Sequence, residues 1–492
     1  MADVSVTLDT VGDVLRSAGL LTDAHGPGDV VVRGVSQDSR AVRSGDLFLA
    51  WKGTAVDAHD HVADAVRAGA AAVVVERPME ALGVPQLVVS DGRRAGALAA
   101  DTVMGSPWQR LFTVGVTGTN GKTTTALLTR HLLAANGPAA AMGTLGVVDA
   151  HGPRPGTEGL TTPGPVQLAV WLWELAEGGV KAVVMEASSH ALAQHRLDAI
   201  RYDVGVFTNL TQDHLDYHAD LASYFGAKAR LVELVAENGV VVVNGDDPAW
   251  ADLDARGRSV RTFSARGAAD VRAEDLELAA DGSRFTLVVG AERAPVRFPL
   301  LGAYNVENAL AAAAVAVAAG IPVADVAGRL STVPQVKGRL EVVHAGDFTV
   351  LIDFAHTPDA LTNALEALRA VTPGRLIVLF GAGGDRDRTK RKPMAEAVRR
   401  AADVVVLTSD NPRTEDPEAI LDDLAAGLRG GPDHRDADRR AAIAWALGQA
   451  RPGDTVLLAG KGHETYQVIG TEKRPFDERQ VVRDALAALE GA

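Results

Sequence analysis

The chain has 492 residues, a formal net charge of −14 and 47% apolar residues, which points to about three domains with full cores and against general binding of nucleic acid or acidic membranes. It contains no cysteine, so a disulfide framework, a zinc ribbon and a thiol nucleophile are excluded. The opening residues lack the basic, apolar, small-residue progression of a signal peptide and no apolar run reaches ~20 residues, so a soluble, cytoplasmic protein without a membrane span is expected.

In chain order, residues 1–110 read as a small α/β unit. Val30–Val35, Asp46–Ala50, Ala71–Val75 and Gln86–Val89 are strand-like, and His61–Ala68 and Arg93–Met104 are helical. Gly105-Ser106-Pro107 punctuates the end. Residues 111–337 begin with a buried strand, Leu111–Val116, and a helix from Thr123 to about Ala135. Short apolar strands follow at Ala182–Met185, Val204–Phe207 and Val240–Val243 with helical stretches between, the alternation of a parallel, doubly wound sheet. Residues 259–300 hold β-like pieces without a helix and read as a small antiparallel flap; Asn305–Ala319 is an alanine-rich helix. Pro334, Lys337 and Gly338 break the pattern. In 338–492 the alternation restarts as a Rossmann-like third domain, with strands Thr349–Asp353, Leu376–Phe380, Val404–Thr408 and Thr455–Ala459 and helices Asp359–Ala370, Lys392–Ala402, Ile420–Leu428, Arg439–Gln449 and Glu478–Leu489.

Gly118-Thr119-Asn120-Gly121-Lys122-Thr123 lies between a predicted strand and a predicted helix. Backbone amides of a glycine-rich turn and of a helix start favour anionic oxygens, Lys122 suits β- and γ-phosphates, and the Thr123 hydroxyl suits Mg²⁺. The full Walker pattern would place glycine at Val116, so only the shorter G-x-x-G-K-T core is present. A plain glycine turn with a solvated lysine is the alternative, and the flanking strand and helix argue against it.

Glu186 ends the strand Ala182–Met185, where a parallel sheet faces its ligands and a carboxylate can hold Mg²⁺. His214 and His218 follow the next strand at a four-residue spacing, but Leu215 replaces the glutamate of a zinc-protease helix. Lys228 falls on a predicted helix, and locally it reads as a surface lysine. Only nine lysines are present against 40 arginines, so each is of interest.

Together these segments resemble the ATP-dependent Mur ligases of peptidoglycan synthesis, in particular the diaminopimelate-adding type. The resemblance covers essentially the whole chain. It is carried by D-S-R at 38–40, G-D-L-F at 45–48, T-G-T-N-G-K-T at 117–123, L-T-T-P at 160–163, E-A-S-S-H-A-L at 186–192, Q-H-R at 194–196 and D-H-L-D-Y-H at 213–218. G-R-L-E at 338–341, A-H-T-P-D at 355–359, G-G-D-R-D at 383–387, D-N-P-R at 410–413 and G-K-G-H-E at 460–464 continue it. Phe354 replaces the family's usual tyrosine, and Ala58 its usual glycine before His59.

The resemblance implies a UDP-substrate-binding domain at 1–110, an ATP-binding domain at 111–337 and an amino-acid-binding domain at 338–492. It implies ligation of meso-diaminopimelate to the D-Glu of UDP-N-acetylmuramoyl-L-Ala-D-Glu through an acyl phosphate, with ATP and two Mg²⁺, in a monomer. Lys122, Glu186, His214 and Lys228 would be catalytic. Gly118, Thr119, Asn120, Gly121, Lys122, Thr123, Thr124, Asn305, Asn308, Arg339 and Asp353 would face the nucleotide. Ser39, Thr161, Thr162, Ser188, Gln194 and Arg196 would contact the UDP-substrate. Thr123 and Glu186 would ligate one Mg²⁺, His214 and a carbamylated Lys228 the second, since a carbamate suits a hard cation where an ammonium repels it.

The D-N-P-R segment follows a strand at its carboxyl end, where ligands bind, so Arg413 is expected to clamp the far carboxylate of diaminopimelate. Arg386, Asp410, Asn411, Pro412, Gly460 and Glu464 complete the amino-acid set, Glu464 taking the far ammonium. An Asx–Pro turn is the plainer account of 410–413. Two other functions remain to be weighed. Folylpolyglutamate synthetase shares the ligase core, and D-S-R and D-N-P-R argue against it; a P-loop switch would need neither an amino-acid pocket nor a modified lysine.

Overall fold

The computed structural model describes residues 4–53, 56–214, 217–279 and 281–490; Leu215 and Asp216 of the histidine segment lie outside these. Three α/β units follow one another along the chain. In the first, a five-stranded sheet runs in the order Leu21–His25, Gln86–Val89, Ala72–Val75, Asp46–Leu49, Gly34–Ser36, and only Leu21–His25 pairs antiparallel. The expected strand Val30–Val35 is two pieces, because Val31–Val32 pairs instead with Val6–Thr7. A helix absent from the sequence reading, Leu8–Ser17, is capped by the Thr7 hydroxyl and buries Leu8, Val11 and Leu15 beside the helix Gly92–Val103.

The second unit is built on an eleven-stranded sheet. Its parallel centre runs Ala139–Gly143, Ala182–Glu186, Phe112–Thr117, Tyr202–Phe207, Val235–Asn244, Ser259–Ser264, Val271–Ala279. Antiparallel strands close both ends, Gly146–Asp149 with Gly152–Pro153 at one and Gly282–Val289 with Glu292–Phe298 at the other. The antiparallel flap expected at 259–300 is formed by Val271–Ala279, Gly282–Val289 and Glu292–Phe298, but the first strand of that segment is not antiparallel. Ser259–Ser264 is parallel to Val235–Asn244, and Phe263 and Ser264 pair in parallel with Val271 and Arg272, which carries the hairpins on as the same sheet. The helix Ala303–Ala318 covers this part of the sheet; its run of alanines and valines is fully buried with Phe263, Phe285 and Phe298, and such small side chains allow the helix Lys122–Leu133 to pack close against it.

One helix, Pro165–Glu177, is apolar on two faces. Leu168, Leu172 and Leu175 pack into the second unit, while Val166, Ala169, Val170 and Trp173 complete the core of the first. Arg94 of the first unit also pairs with buried Asp198 of the second at 3.3 Å.

The third unit has six strands in the order Glu341–Ala345, Thr349–Asp353, Thr455–Ala459, Leu376–Phe380, Val404–Leu407, His434–Arg435, parallel except for the first. The inner strands are buried throughout, as expected for a sheet with helices on both faces. Their carboxyl ends carry Asp353, Gly383, Asp410 and Gly460 to a cleft facing the second unit. Among the described residues no helix is long and apolar enough to cross a membrane.

Candidate active site

The phosphate loop leaves the end of the strand Phe112–Thr117 and enters the helix Lys122–Leu133. Two of its glycines are sterically required. Gly118 has φ +149° and a Cβ there would sit 1.9 Å from Thr208 Oγ1, while Gly121 has φ +83° and a Cβ would sit 2.4 Å from Asn308 Oδ1. Asn209 locks the loop: its carbonyl and side-chain oxygens accept from the amides of Thr119 and Asn120, each at 2.8 Å. Val116 is a fully buried strand residue paired with Glu186, so no glycine is called for there. The first-turn amides of the helix lack intrahelical partners and lie beside Lys122, whose Nζ is folded onto Gly118 O at 3.0 Å and Thr119 O at 2.8 Å. Burial lowers the Lys122 pKa, and Glu186 and Asp213 oppose that shift.

Thr123 and Thr124 are buried in the first turn. Thr123 Oγ1 accepts from Arg339 at 3.3 Å. Asn308 lines the cleft, but Asn305 stands behind it, donating to Leu301 O at 2.8 Å and accepting from Asn308 at 3.1 Å. Asp353 faces the cleft and accepts from the amides of Leu340 and Ala355.

Glu186 is 2% exposed. Its oxygens accept from the Thr144 amide at 2.8 Å and hydroxyl at 3.3 Å. Burial raises its pKa, with Lys122 the chief opposing charge. His214, at φ +56°, has its imidazole pKa pushed down to about 4 by burial, so near neutral pH it is uncharged, with a lone pair to give. Lys228 is no surface lysine: it is 1% exposed on the helix Leu221–Leu234, gives its amine to Gly118 O at 2.6 Å, and lies 4.3 Å over the Tyr224 ring. Burial first, and then the charge of Lys122, hold its pKa well below the ordinary lysine range.

The expected UDP-substrate residues form a hydrogen-bonded cluster next to the cleft. The Thr162 hydroxyl donates to Glu186 O at 2.5 Å and accepts from the Ser188 amide at 3.1 Å, with Ser188 Oγ also 3.1 Å away. Arg196 reaches Thr162 O at 2.8 Å and Gln194 Oε1 at 2.6 Å. Thr161 lines the cleft itself. Ser39 opens a short 3₁₀ turn capped by Asp38; Gln37 nearby faces Gly164, which follows the Thr161–Pro163 segment.

On the facing wall, Arg386, Asp410, Asn411, Arg413, Gly460 and Glu464 line the same cleft, of about 1000 Å³, as the phosphate loop; Pro412 does not. The backbone of Arg413 is pinned by Val468 O at 3.0 Å and Gly470 N at 2.7 Å, and its side chain gives one donor to Gly384 O at 2.8 Å. Three supports went unread in the sequence. Arg391, 1% exposed, ties Glu415, Asp423 and Gly383 O together beneath the G-G-D-R-D loop. Arg439 and Glu478, both fully buried, pair at 2.7 Å while Arg439 holds Ser409 O and Ala459 O just before the D-N-P-R and G-K-G-H-E segments. Lys461 sits under Asn411 and Glu464. Across the cleft, Asp359 accepts from Asn120 Nδ2 at 2.7 Å and Thr211 Oγ1 at 3.3 Å.

Comparison with known proteins accounts for this arrangement. Residues 31–102 match the Mur ligase family catalytic domain, 116–316 the Mur ligase middle domain and 338–462 the Mur ligase glutamate ligase domain. The UDP-N-acetylmuramoyl-L-alanyl-D-glutamate--2,6-diaminopimelate ligase of Gloeobacter violaceus is 44% identical over 482 residues, 96% of this chain and 97% of that one. Its counterpart in Geobacillus kaustophilus is 43% identical over 475 residues, covering 94% and 96%. A solved structure bearing the same ligase name superposes with a TM-score of 0.71 at 34% identity over 99% of both chains. Matched in all three parts and in their order, the chain belongs to the Mur ligase family.

Proposed function

We propose that the chain is an ATP-dependent amide ligase that joins 2,6-diaminopimelate to the D-Glu carboxyl of UDP-N-acetylmuramoyl-L-alanyl-D-glutamate. The observation that carries this reading is the single cleft with a phosphate loop on one wall and Arg386, Arg413 and Glu464 on the other. The first unit, with Ser39, takes the UDP end, and Thr162, Ser188, Gln194 and Arg196 steady the peptide end. Use of ATP puts the reaction in the cytoplasm.

A carboxylate is a poor electrophile, so it is activated first. One of its oxygens attacks the γ-phosphorus of ATP, the bond to the β-phosphate oxygen breaks, and ADP leaves an acyl phosphate. The amine of diaminopimelate adds to the acyl carbon. The tetrahedral adduct then expels phosphate and its nitrogen gives up a proton. Phosphoryl transfer of this kind rests on positioning and neutralisation of charge. Lys122 and the amides at the start of its helix face the phosphates, and Arg339 beside Thr123 adds a second fixed cation.

The Thr123 hydroxyl and the buried Glu186 carboxylate are oxygen donors that fit a hard divalent cation and would hold the first Mg²⁺. Bound Mg²⁺ supplies charge neutralisation to the transferring phosphoryl group. The second cation would draw on His214 and on Lys228 as a carbamate. A desolvated, uncharged amine is the form that attacks CO₂: the N–C bond forms, a proton leaves to water, and a buried anion replaces a buried amine.

The test is phosphate release with mass analysis of the product. Release should require both the UDP-muramoyl dipeptide and diaminopimelate. Turnover of ATP without either, or glutamate addition to a folate, would overturn the reading.

A further inference from the structure

Lys461 is a buried lysine for which the chemistry above has no use. It is 0% exposed and does not line the cleft. Its Nζ lies 3.0 Å from Glu464 Oε2, 3.1 Å from Asn411 Oδ1 and 3.6 Å from Asp410 Oδ1. The contact with Asn411 fixes that amide: Oδ1 accepts from Lys461 and from Val468 N at 2.9 Å, so Nδ2 turns to Glu464 Oε2 at 2.8 Å. Both described side-chain bonds of Glu464 thus fall on Oε2, which leaves Oε1 for a ligand in the cleft that Glu464 lines. Asp410, also on the cleft, keeps a buried Oδ1 that accepts no hydrogen bond.

Lys461 is therefore the one cation in hydrogen-bond or ion-pair contact, among those described, with both carboxylates. Two carboxylates sharing one buried cation are incompletely compensated, and an ammonium group entering from the cleft would complete the set. On the reading of this site as the diaminopimelate pocket, we propose that Lys461 is the positioning residue for the far ammonium of diaminopimelate. It takes up one negative charge from below and orients Glu464 and Asn411, so that the remaining charge is presented to the ligand at a fixed place. A lysine suits the task because its ammonium donates to Glu464 and Asn411 at once and still sets its charge 3.6 Å from Asp410. The Arg439–Glu478 pair, holding Ala459 O two residues earlier, keeps the Lys461 backbone in register.

The experiment compares diaminopimelate with 2-aminopimelate, which keeps the attacking amine and the far carboxylate but has no far ammonium. In Lys461→Met, kcat/KM for diaminopimelate should fall about 10- to 100-fold, chiefly through KM, the scale of losing a charge-assisted bond. For 2-aminopimelate it should stay within about threefold, and adding Glu464→Gln should cost little more, because coupled residues are not additive. Equal losses for both substrates, or an unchanged or rising preference for diaminopimelate, would overturn the proposal. A wild type that does not prefer diaminopimelate would instead overturn the reading of the pocket. ATP affinity and thermal unfolding report on folding. Lys461→Gln, which keeps donors without the charge, provides the same comparison if the methionine variant does not fold. If neither variant folds with wild-type ATP affinity, Lys461 is a structural residue and the proposal fails.

Discussion

Replacing Arg413 by alanine removes a guanidinium while leaving its loop in place. The backbone of Arg413 is held on both sides, by Val468 O and by Gly470 N, and the Arg413 side chain contributes only the bond to Gly384 O among those described. The loop is held further by Gly384 N on Asn411 O at 2.9 Å and by Thr414 on Asp385, none of which involves the guanidinium. The left-handed φ of +52° at this position strains alanine no more than arginine, since both carry a Cβ. On the proposed reading of the pocket, what is lost is a two-pronged donor for the far carboxylate of diaminopimelate. Such a charge-assisted pair is worth about 2–4 kcal/mol, or roughly 30- to 1000-fold in kcat/KM. Lysine lacks the far carboxylate, so its kcat/KM should hardly change. Steady-state kinetics with both amino acids, in wild type and Arg413→Ala, give the ratio directly. A ratio that does not move, or a wild type that prefers lysine, would refute the clamp.

Lys122→Ala should raise the barrier by about 2–4 kcal/mol, the scale of one preorganised electrostatic donor; near-normal turnover of the folded variant would remove the loop from the mechanism. Lys228→Ala should be nearly inactive and partly restored by short carboxylates that fill the gap. Electron density of the nucleotide- and Mg²⁺-bound enzyme should show a carbamate on Lys228, and a bare amine there would dismiss the modification. His463 is held down to about 3 by burial and then by the charge of Arg339, against an ordinary 6.5. The unfolded chain takes up a proton near pH 6.5 that the fold refuses until about pH 3, so this contribution to stability is full above pH 6.5 and is lost on acidification through that window. Urea midpoints should therefore fall less between pH 7 and pH 5 in His463→Gln than in wild type, by an amount set in the assay; parallel lines would contradict the assignment.

The strands Gln86–Val89, Thr349–Asp353, Leu376–Phe380 and Thr455–Ala459 have the bounds that their apolar runs predict, because strands buried on both faces read as continuous hydrophobic segments. The phosphate loop is legible for a similar reason: its glycines answer local backbone and space requirements at Gly118 and Gly121. The continuation of the central sheet through Ser259–Ser264 was not legible, since parallel register depends on a partner distant in sequence. Lys228 reads locally as a surface lysine and Lys461 is not singled out by its own segment, and only the packing of remote segments buries both beside the cleft. Arg391, Arg439 and Glu478 escaped because a buried ion pair has no local pattern: Arg439 meets Glu478 across 39 residues of chain. The helix Leu8–Ser17 was within reach, as Val11 and Leu15 at four-residue spacing behind Thr7 make an ordinary capped, amphipathic helix.

The two-faced helix Pro165–Glu177 divides the molecule into parts of unequal adhesion. Prising the first unit from the second would wet Val166, Ala169, Val170 and Trp173 together with the core they complete, at a hydrophobic cost. The third unit is fastened otherwise: Leu301 and Tyr304 give it one greasy bearing, while Asp359–Asn120 and Arg339–Thr123 are polar handholds that water can take over at small cost. The junction between the first two units is thus the apolar one, and the wall that carries Arg386, Arg413 and Glu464 is joined to the phosphate loop mainly through groups that water can replace.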